Sequence, residues 1–246
     1  MTHAGKRVLV TGGGSGAGAD LALGFARAGA EVVVCGRRVQ ALDRTVALHS
    51  GIRALPCDVT DEASVIGLFK AAGPVDIVIA NAGQADSAPF HRTSLDQWNA
   101  MLTVNLTGVF LTFREGLRQM TGWGRLISVC STAGVKGYGK IAPYAAAKHG
   151  VMGLTRSLAL EIARSPVTVN AICPGFLDTE MTDRSIQVIS EKTGRSLAEA
   201  RTVLEALNPQ NRLFQPSEVT AAALWLCGPG SDGVNGQAIT ISGGEA

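Results

Sequence analysis

Short runs of consecutive apolar, mostly β-branched residues alternate along the chain with longer segments that have the periodicity of helices. The runs predict strands at residues 7–12, 31–36, 52–57, 75–80, 125–130, 167–172 and 237–242. They lack the polar alternation of half-exposed strands, so both faces of each strand are expected to be buried, as in a parallel sheet. The segments between them predict helices at residues 16–29, 39–49, 61–71, 94–120, 142–163 and 216–227.

This alternation is typical of a doubly wound α/β fold, in which helices cover both faces of a parallel sheet. One segment departs from it: residues 183–207 have a helical pattern, and no strand is predicted between them and residue 237. We interpret this segment as an insertion that forms a lid or a substrate-binding element. Since no repeat, low-complexity tract or linker divides the chain, residues 1–246 are predicted to form a single domain.

Composition and charge narrow the classes of function. Hydrophobic residues make up 46% of the chain, and the net charge is only +2, with both signs interspersed. A nucleic-acid-binding surface would need concentrated basic residues, so no nucleic-acid partner is predicted. No signal peptide or membrane-spanning run is recognisable, and no membrane association is expected. The five cysteines lack the spacing of metal ligands, which predicts no metal site and indicates free thiols in a reducing, cytoplasmic compartment.

A glycine-rich turn, TGGGSGAG at residues 11–18, lies between the first predicted strand and the first predicted helix. Glycines in this place let backbone N–H groups approach a pyrophosphate at the N-terminus of the helix. Two spacings fit the turn, one through Gly14, Gly16 and Ala19 and the other through Gly12, Gly16 and Gly18. The position between strand and helix predicts a nucleotide-binding site, and no Gly-Lys-Ser/Thr follows that would indicate a P-loop.

The end of the second strand is where a dinucleotide-binding fold contacts the ribose of its cofactor. A carboxylate there suits the 2′-hydroxyl of NAD, whereas arginine suits the 2′-phosphate of NADP. The sequence has Arg37 and Arg38 and no acidic residue at this point. A guanidinium beside a phosphate forms a charge-assisted, often bidentate contact. NADP(H) is therefore the predicted cofactor, with NAD(H) as the alternative; the competing interpretation is a solvated arginine pair in a loop.

Further polar residues follow in a recognisable order. They are the Asn-Ala-Gly segment 81–83, then Asn105, Ser131, Tyr144 and, four residues later, Lys148. Together with the Thr-Gly-x-x-x-Gly-x-Gly pattern of the turn, they resemble the short-chain dehydrogenase/reductase family over the whole chain. Ser131 precedes Tyr144 by thirteen residues, which is the spacing of the family. The chain departs from the family in having alanine at position 80, where a second asparagine is usual.

The resemblance implies a Rossmann-type sheet, a nicotinamide cofactor and the exchange of hydride between a carbonyl and an alcohol. It implies that Asn105, Ser131, Tyr144 and Lys148 are catalytic. With the two arginines, the cofactor-binding residues implied are Gly12, Ser15, Gly16, Ala17, Gly18, Arg37, Arg38, Asp58, Val59, Asn81, Ala82, Gly83, Tyr144, Lys148, Pro174, Gly175, Leu177 and Thr179. By the same resemblance, Lys148 reaches the nicotinamide ribose, and Asn105 holds a water that links Lys148 to solvent.

The chemistry of the residues supports these roles independently. Carbonyl reduction needs a proton on the developing alkoxide, and a phenol with a pKa near 10 can donate one but is a poor base at pH 7. A neighbouring ammonium stabilises the phenolate. Residues four apart share a helix face, which puts Lys148 beside Tyr144. Ser131, just beyond a strand end, can hydrogen-bond the carbonyl oxygen, whereas the adjacent Cys130 is interpreted as a core residue.

The substrate is less defined than the reaction. The predicted pocket residues are Ser131, Ala133, Val135, Tyr138, Tyr144, Phe176 and Met181. Many of them are apolar, which suits an organic ketone better than a sugar. The end of the chain also resembles bacterial relatives that reduce 3-oxoacyl thioesters, so a substrate linked to CoA or a carrier protein is considered. Acidic and basic residues are balanced between positions 180 and 212, and charge does not decide the question.

The leading prediction is an NADP(H)-dependent reductase of a small-molecule ketone, with Tyr144 as acid and base. One alternative is a secondary-alcohol, hydroxysteroid or aromatic-alcohol dehydrogenase that works oxidatively. The other is a cofactor-binding regulator without activity, which the intact set of catalytic residues argues against. By family analogy, the helices at 94–120 and 142–163 pack against copies of themselves and give a homotetramer or homodimer.

Overall fold

Apolar strands buried on both faces organise the structure, a computed structural model that describes residues 2–246. The strands are β1 (Arg7–Thr11), β2 (Glu31–Gly36), β3 (Ile52–Pro56), β4 (Ile77–Ala80), β5 (Gly124–Val129), β6 (Val167–Pro174) and β7 (Ala238–Ile241). They form one sheet in the order β3-β2-β1-β4-β5-β6-β7. Every neighbouring pair is parallel, as the continuous apolar runs predict.

Helices cover both faces of this sheet. They are α1 (Gly16–Arg27), α2 (Val39–Val46), α3 (Glu62–Ala72), α4 (Leu95–Leu102), α5 (Gly108–Gln119), α6 (Ala142–Glu161), α7 (Glu180–Thr193), α8 (Leu197–Glu205) and α9 (Pro216–Leu226). None of the helices within residues 2–246 is long and apolar enough to cross a membrane.

Alternate residues of the strands feed two separate cores. Val8 and Val10 of β1 pack with Phe25 of α1 in the core beneath α1, α2 and α9. Leu9, between them, points to the other face and packs in the core that contains Phe113 of α5. This division confirms the predicted doubly wound α/β fold of Rossmann type. The strand order reverses between β1 and β4, and ligands of such sheets bind at the carboxyl ends of the strands at this point.

The helix predicted over residues 94–120 changes geometry in its middle. α4 continues into a π-helical segment, Thr103–Thr107, before α5 begins at Gly108. The wider turn brings the buried side chain of Asn105 within reach of the Met101 carbonyl, to which its Nδ2 donates at 3.1 Å. The chain is helical from Leu95 to Gln119, close to the predicted bounds. The π-helical segment was not predicted, because the spacing of apolar residues does not distinguish an α-helical turn from a π-helical one.

The segment predicted as one helical stretch over residues 183–207 consists of two helices. α7 already begins at Glu180 and ends at Thr193, and its C-cap Gly194 has a left-handed φ of 73°. Ser196 then starts α8 with a capping box completed by Glu199. The two helices share a small apolar cluster outside the main cores. The segment is thus helical, with bounds that differ from those predicted, and its role as an inserted lid stays a prediction.

Candidate active site

The site lies at the carboxyl ends of β1 and β4, where Thr11 joins two loops. Its Oγ1 accepts hydrogen bonds from the backbone N–H groups of Asn81 and Ala82, both at 3.0 Å. In return, Asn81 Nδ2 donates to the carbonyls of Thr11 at 3.0 Å and Gly12 at 3.2 Å. The predicted nucleotide turn and the predicted Asn-Ala-Gly segment thus form one connected surface.

The glycines of the turn are required by space and by backbone conformation. Gly12 and Gly16 have left-handed φ values of 65° and 52°, which side-chain-bearing residues seldom adopt. A Cβ on Gly12 would lie 2.8 Å from Ala82 Cα, and a Cβ on Gly18 would overlap the Gly12 carbonyl oxygen. The structure therefore selects the spacing through Gly12, Gly16 and Gly18 from the two that the sequence allows.

The N-terminus of α1 is suited to an anion. Ser15 is the N-cap, but its side chain makes no capping hydrogen bond, and the first turn contains no acidic residue. The N–H groups of Gly16, Ala17 and Gly18 therefore keep the positive end of the helix dipole uncompensated by a side chain. Thr179, the residue before α7, approaches the turn, since a Cβ on Gly16 would lie 3.2 Å from its Cγ2. This cradle fits the pyrophosphate of a dinucleotide.

The adjacent surface after β2 and β3 carries the predicted ribose and adenine contacts. Arg37 and Arg38 are exposed, and Arg38 Nη2 donates to Ser15 Oγ at 3.5 Å. Asp58 Oδ1 accepts from the N–H and hydroxyl of Thr60 at 3.0 and 2.7 Å. Together these bonds hold the pKa of Asp58 below its usual value. The hydrogen bond from the Thr60 N–H contributes most, and the positive charge of Arg37 acts in the same direction. The site thus pairs exposed guanidinium groups with a fixed carboxylate.

Lys148 and Tyr144 lie together on α6. The Lys148 side chain is buried, with its Nζ 5.5 Å from the centroid of the Tyr144 ring. Nζ donates to the carbonyl of Val129 at 3.0 Å, at the end of β5. An ammonium has three donor hydrogens, so this contact fixes its position and leaves two hydrogens for other partners.

Asn105 approaches Lys148 from the π-helical segment. Its Oδ1 accepts from the N–H of Gln84 at 3.2 Å, and its Nδ2 donates to the Gln84 carbonyl at 2.9 Å. Gly83 lies between the two side chains: a Cβ there would be 2.8 Å from Asn105 Oδ1 and 3.9 Å from Lys148 Nζ. The structure therefore brings Asn105, Gly83 and Lys148 together. The water that Asn105 is expected to hold stays a prediction.

Ser131 follows β5 and caps a short 3-10 helix, Thr132–Gly134. Its Oγ accepts from the N–H of Ala133 at 3.1 Å. This bond uses a lone pair and leaves the hydroxyl hydrogen free to donate. The neighbouring Cys130 is buried in the core and donates through Sγ to the Lys148 carbonyl at 3.4 Å, which agrees with its interpretation as a packing residue.

The predicted substrate residues differ in how far they are exposed. Val135, Tyr138 and Phe176 are half-buried, Met181 is exposed, and Ala133 is almost completely buried. At the end of β6, Pro174 is buried, and three residues later Leu177 forms an isolated bridge to Phe214. Among residues 2–246, no group of three or more His, Cys, Asp or Glu side chains could hold a metal ion.

Sequence reasoning missed two residues that shape the site. Thr11 was part of the recognised motif but was not assigned a role, although it joins the two loops. Glu245 had no sequence signal at all: its Oε1 lies 2.6 Å from the Tyr138 hydroxyl, across 107 residues of chain. Burial, together with this carboxylate, raises the pKa of Tyr138 well above its usual value. A pairing over such a distance follows from the fold and not from any local pattern.

Comparison with known proteins agrees with this geometry. The family described as short chain dehydrogenase matches residues 6–188. A Streptomyces coelicolor protein that carries the name of a ketoacyl reductase is 37% identical, over 96% of this chain and 95% of its own length. The chain belongs to the short-chain dehydrogenase/reductase family and is an oxidoreductase, which confirms the predicted family, fold and enzyme class.

Two solved structures are similar over almost their whole length. A variant of actinorhodin polyketide ketoreductase with NADPH has a TM-score of 0.91 and 35% identity, and covers 98% of this chain and 97% of its own. Levodione reductase has a TM-score of 0.93 and 30% identity, and covers 98% of both chains.

Gly18 offers a direct test of the cradle. In Gly18→Ala, the new methyl group would overlap the Gly12 carbonyl and press on the Asn81 amide, so the turn must shift. We expect NADPH, followed by its fluorescence, to bind at least about tenfold more weakly, which corresponds to about 1.4 kcal/mol.

Gly67→Ala is the matched control, because nothing lies within 4 Å of a Cβ at this exposed position of α3. It should bind NADPH as the wild type does and be more stable by roughly 0.5–1 kcal/mol, since alanine favours a helix. Unchanged NADPH affinity in Gly18→Ala would contradict the assignment of the turn.

Proposed function

We propose that this protein is an NADP(H)-dependent reductase of organic ketones in which Tyr144 protonates the substrate oxygen. The observation that carries the proposal is the pairing of Tyr144 with the buried Lys148 on α6. Ser131 begins the short helix after β5 that packs against α6, and the glycine cradle follows β1 at the carboxyl edge of the same sheet. The names of the similar proteins, a ketoacyl reductase, a polyketide ketoreductase and levodione reductase, support ketone reduction.

The choice of NADP(H) rests on Arg37 and Arg38. Both are exposed at the end of β2, and neither forms a salt bridge within residues 2–246. They are therefore available to a 2′-phosphate, while the cradle would hold the pyrophosphate and Asp58 and Val59 would contact the adenine. The actinorhodin ketoreductase structure, which contains NADPH, supports the same cofactor here.

The protein residues then have separate tasks. NADPH, held by the glycine cradle after β1 and by Arg37 and Arg38, would supply the hydride that reduces the carbonyl carbon. Ser131 donates its free hydroxyl hydrogen to the carbonyl oxygen, and Tyr144 transfers its phenol proton to that oxygen as negative charge develops. The Lys148 ammonium favours the phenolate that remains, and its burial strengthens this electrostatic effect. Asn105 holds the backbone of Gln84 and thereby positions Gly83 beside the ammonium.

We propose more specifically that the substrate is a 3-oxoacyl thioester or a similar ketone. The ketoacyl reductase name of the Streptomyces relative and the apolar residues Val135, Phe176 and Met181 support it. We place helices α7 and α8 over the substrate as a lid, since Phe176 at the start of this segment packs against their shared cluster. The five buried free thiols support a reducing, cytoplasmic location.

Replacement of Tyr144 tests the chemical step. Tyr144→Phe removes the proton donor, so we expect kcat for ethyl acetoacetate, acetoacetyl-CoA, aryl ketones and cyclic ketones to fall by at least about a hundredfold. NADPH consumption measures the rate, and NADPH binding should be retained. Tyr138→Phe is the matched control, because Tyr138 is the other of the two tyrosines; it should affect KM more than kcat. Near-wild-type turnover of Tyr144→Phe would refute the acid role.

Replacement of Arg37 tests the choice of cofactor. In Arg37→Ala the charge-assisted contact to the 2′-phosphate is lost, so the Kd of NADPH should rise about tenfold and that of NADH should stay within about twofold. Fluorescence titration measures both constants. Arg44→Ala, at an exposed position of α2, is the control and should change neither. Equal weakening of NADPH and NADH would rule out a specific phosphate contact.

We also propose a homotetramer, with a homodimer as the alternative, packed through the α5 and α6 surfaces. Phe110 on α5 is 42% exposed and Leu160 on α6 is 80% exposed, which favours a covered apolar face. Light scattering should give a multiple of the 25.5 kDa chain mass. Leu160→Glu should lower that mass, whereas Leu197→Glu, at the exposed start of α8, should not. A monomeric wild type would contradict the proposal.

A further inference from the structure

A buried carboxylate lies beside the loop that follows β5. The Glu245 side chain is only 9% exposed, and its Oε1 is 3.0 Å from Lys136 Nζ and 2.6 Å from the Tyr138 hydroxyl. Lys136 Nζ also donates to the Glu245 backbone carbonyl at 3.2 Å. Two side chains of the loop are therefore held by one residue that comes from beyond β7.

The contacts continue toward the catalytic serine. Thr132, which directly follows Ser131, has its Oγ1 2.7 Å from the Tyr138 hydroxyl. A phenol has one hydrogen to donate, and the carboxylate of Glu245 is the stronger acceptor. The Thr132 hydroxyl therefore donates to Tyr138, and Tyr138 donates to Glu245. This chain of hydrogen bonds fixes the Tyr138 ring relative to Ser131.

Glu245 also faces the segment that follows β6. A Cβ on Gly175 would lie 3.6 Å from its Oε2, and Gly175 immediately precedes Phe176. The carboxylate thus stands between the two loops that supply the predicted substrate residues. A substrate group that lies between Tyr138 and Phe176 would therefore be close to this negative charge.

The positive charge of Lys136 and the negative charge of Glu245 balance each other. The Lys136 side chain is 37% exposed, and its ammonium is paired with Glu245. Without the carboxylate, a free ammonium would stand beside the pocket and attract anions. When the Glu245 carboxylate is present, the charge of Lys136 is already paired and attracts an incoming anion less. The partly buried carboxylate also repels that anion, because like charges a few ångströms apart interact strongly where water is largely excluded. Lys148 is already bonded to Val129, and Lys140 on the same loop is exposed.

We propose that Glu245 determines substrate specificity by pairing the charge of Lys136 and fixing Tyr138, so that the pocket accepts ketones that carry no anionic group next to the reacting carbonyl. The inference rests on the proposed ketone reductase function and deepens it. A thioester of CoA satisfies the rule, because its phosphates are far from its carbonyl. A short 3-oxo acid does not, because its carboxylate is two bonds from the carbonyl carbon.

Acetoacetate and ethyl acetoacetate form the decisive pair of substrates, because they share the reacting carbonyl and differ in charge. Glu245→Gln keeps the size of the side chain and an acceptor for Tyr138 but frees the Lys136 charge. We expect its ratio of kcat/KM for acetoacetate to kcat/KM for ethyl acetoacetate to rise on the order of tenfold, through a lower KM for the anion. The comparison rests on the ratio, because any change that reaches both substrates through Tyr138 cancels in it, whereas the charge of Lys136 acts on the anion alone.

Two further variants test whether the change in the ratio comes from the freed charge of Lys136. Glu31→Gln makes the same charge change at an exposed position at the amino end of β2, opposite the edge of the sheet that holds the site, and should leave the ratio at the wild-type value. In the double variant Glu245→Gln/Lys136→Met, the freed ammonium is absent, so the ratio should return toward that of the wild type. A ratio that does not change in Glu245→Gln overturns the proposal.

A spectroscopic measurement tests the contact without turnover. In Tyr144→Phe, Tyr138 is the remaining tyrosine, and its Cζ resonance in ¹³C NMR reports its ionisation alone. We expect it to stay a phenol beyond pH 10, where a free tyrosine is half ionised, and to ionise at lower pH once Glu245→Gln is added. An identical titration in both backgrounds would overturn the role of Glu245 in fixing Tyr138.

The results also separate this inference from the proposed function. A wild-type enzyme that reduces neither ketone with NADPH contradicts the ketone reductase function itself. An enzyme that reduces both, with a ratio insensitive to Glu245→Gln, contradicts only the role of Glu245.

Discussion

The close approach of two backbone segments, after β1 and after β4, is the constraint on which the site depends. Thr11 Oγ1 accepts from two successive N–H groups, and Asn81 returns two hydrogen bonds to the carbonyls of Thr11 and Gly12. The approach is possible only because Gly12 and Gly18 lack a Cβ. These four hydrogen bonds give partners to polar groups that the close approach partly removes from water. The N-terminus of α1 follows the same turn and has no side-chain cap, so the stabilised loops and the open helix end are direct neighbours.

A second consequence of the fold is the buried position of Lys148. An ammonium that is only 4% exposed needs fixed partners, and the Val129 carbonyl at the end of β5 supplies one of them. The π-helical segment contributes in a different way, because it turns Asn105 toward Gly83 while its Nδ2 bonds the Met101 carbonyl. A regular α-helix would direct the side chain at this position differently. The local irregularity is thus tied to the arrangement around the lysine.

The parts of the molecule that follow from local patterns were predictable, and those that depend on contacts between distant residues were not. The buried strands and the four-residue step from Tyr144 to Lys148 could be read from spacing alone. The register of the glycine turn could not, because it is decided by Ala82 and Asn81 some seventy residues later. The break at Gly194 was missed because a glycine within a helical pattern indicates an end only when its φ is known. Glu245 was missed because its partners lie in another loop.

Whether a residue of the site could be predicted depends on whether it stands on a helix or strand or on a loop. The residues that we propose for the chemistry stand on regular elements or directly at their ends, where a strand or helix fixes them: Lys148 and Tyr144 on α6, Ser131 after β5. Residues around the substrate stand on loops, and their positions are set by one another, as Thr132, Tyr138, Glu245 and Lys136 are. A change of one charge in such a cluster alters the pocket without disturbing the sheet. The scaffold therefore keeps the reaction constant while the loops remain free to define which carbonyl is reduced.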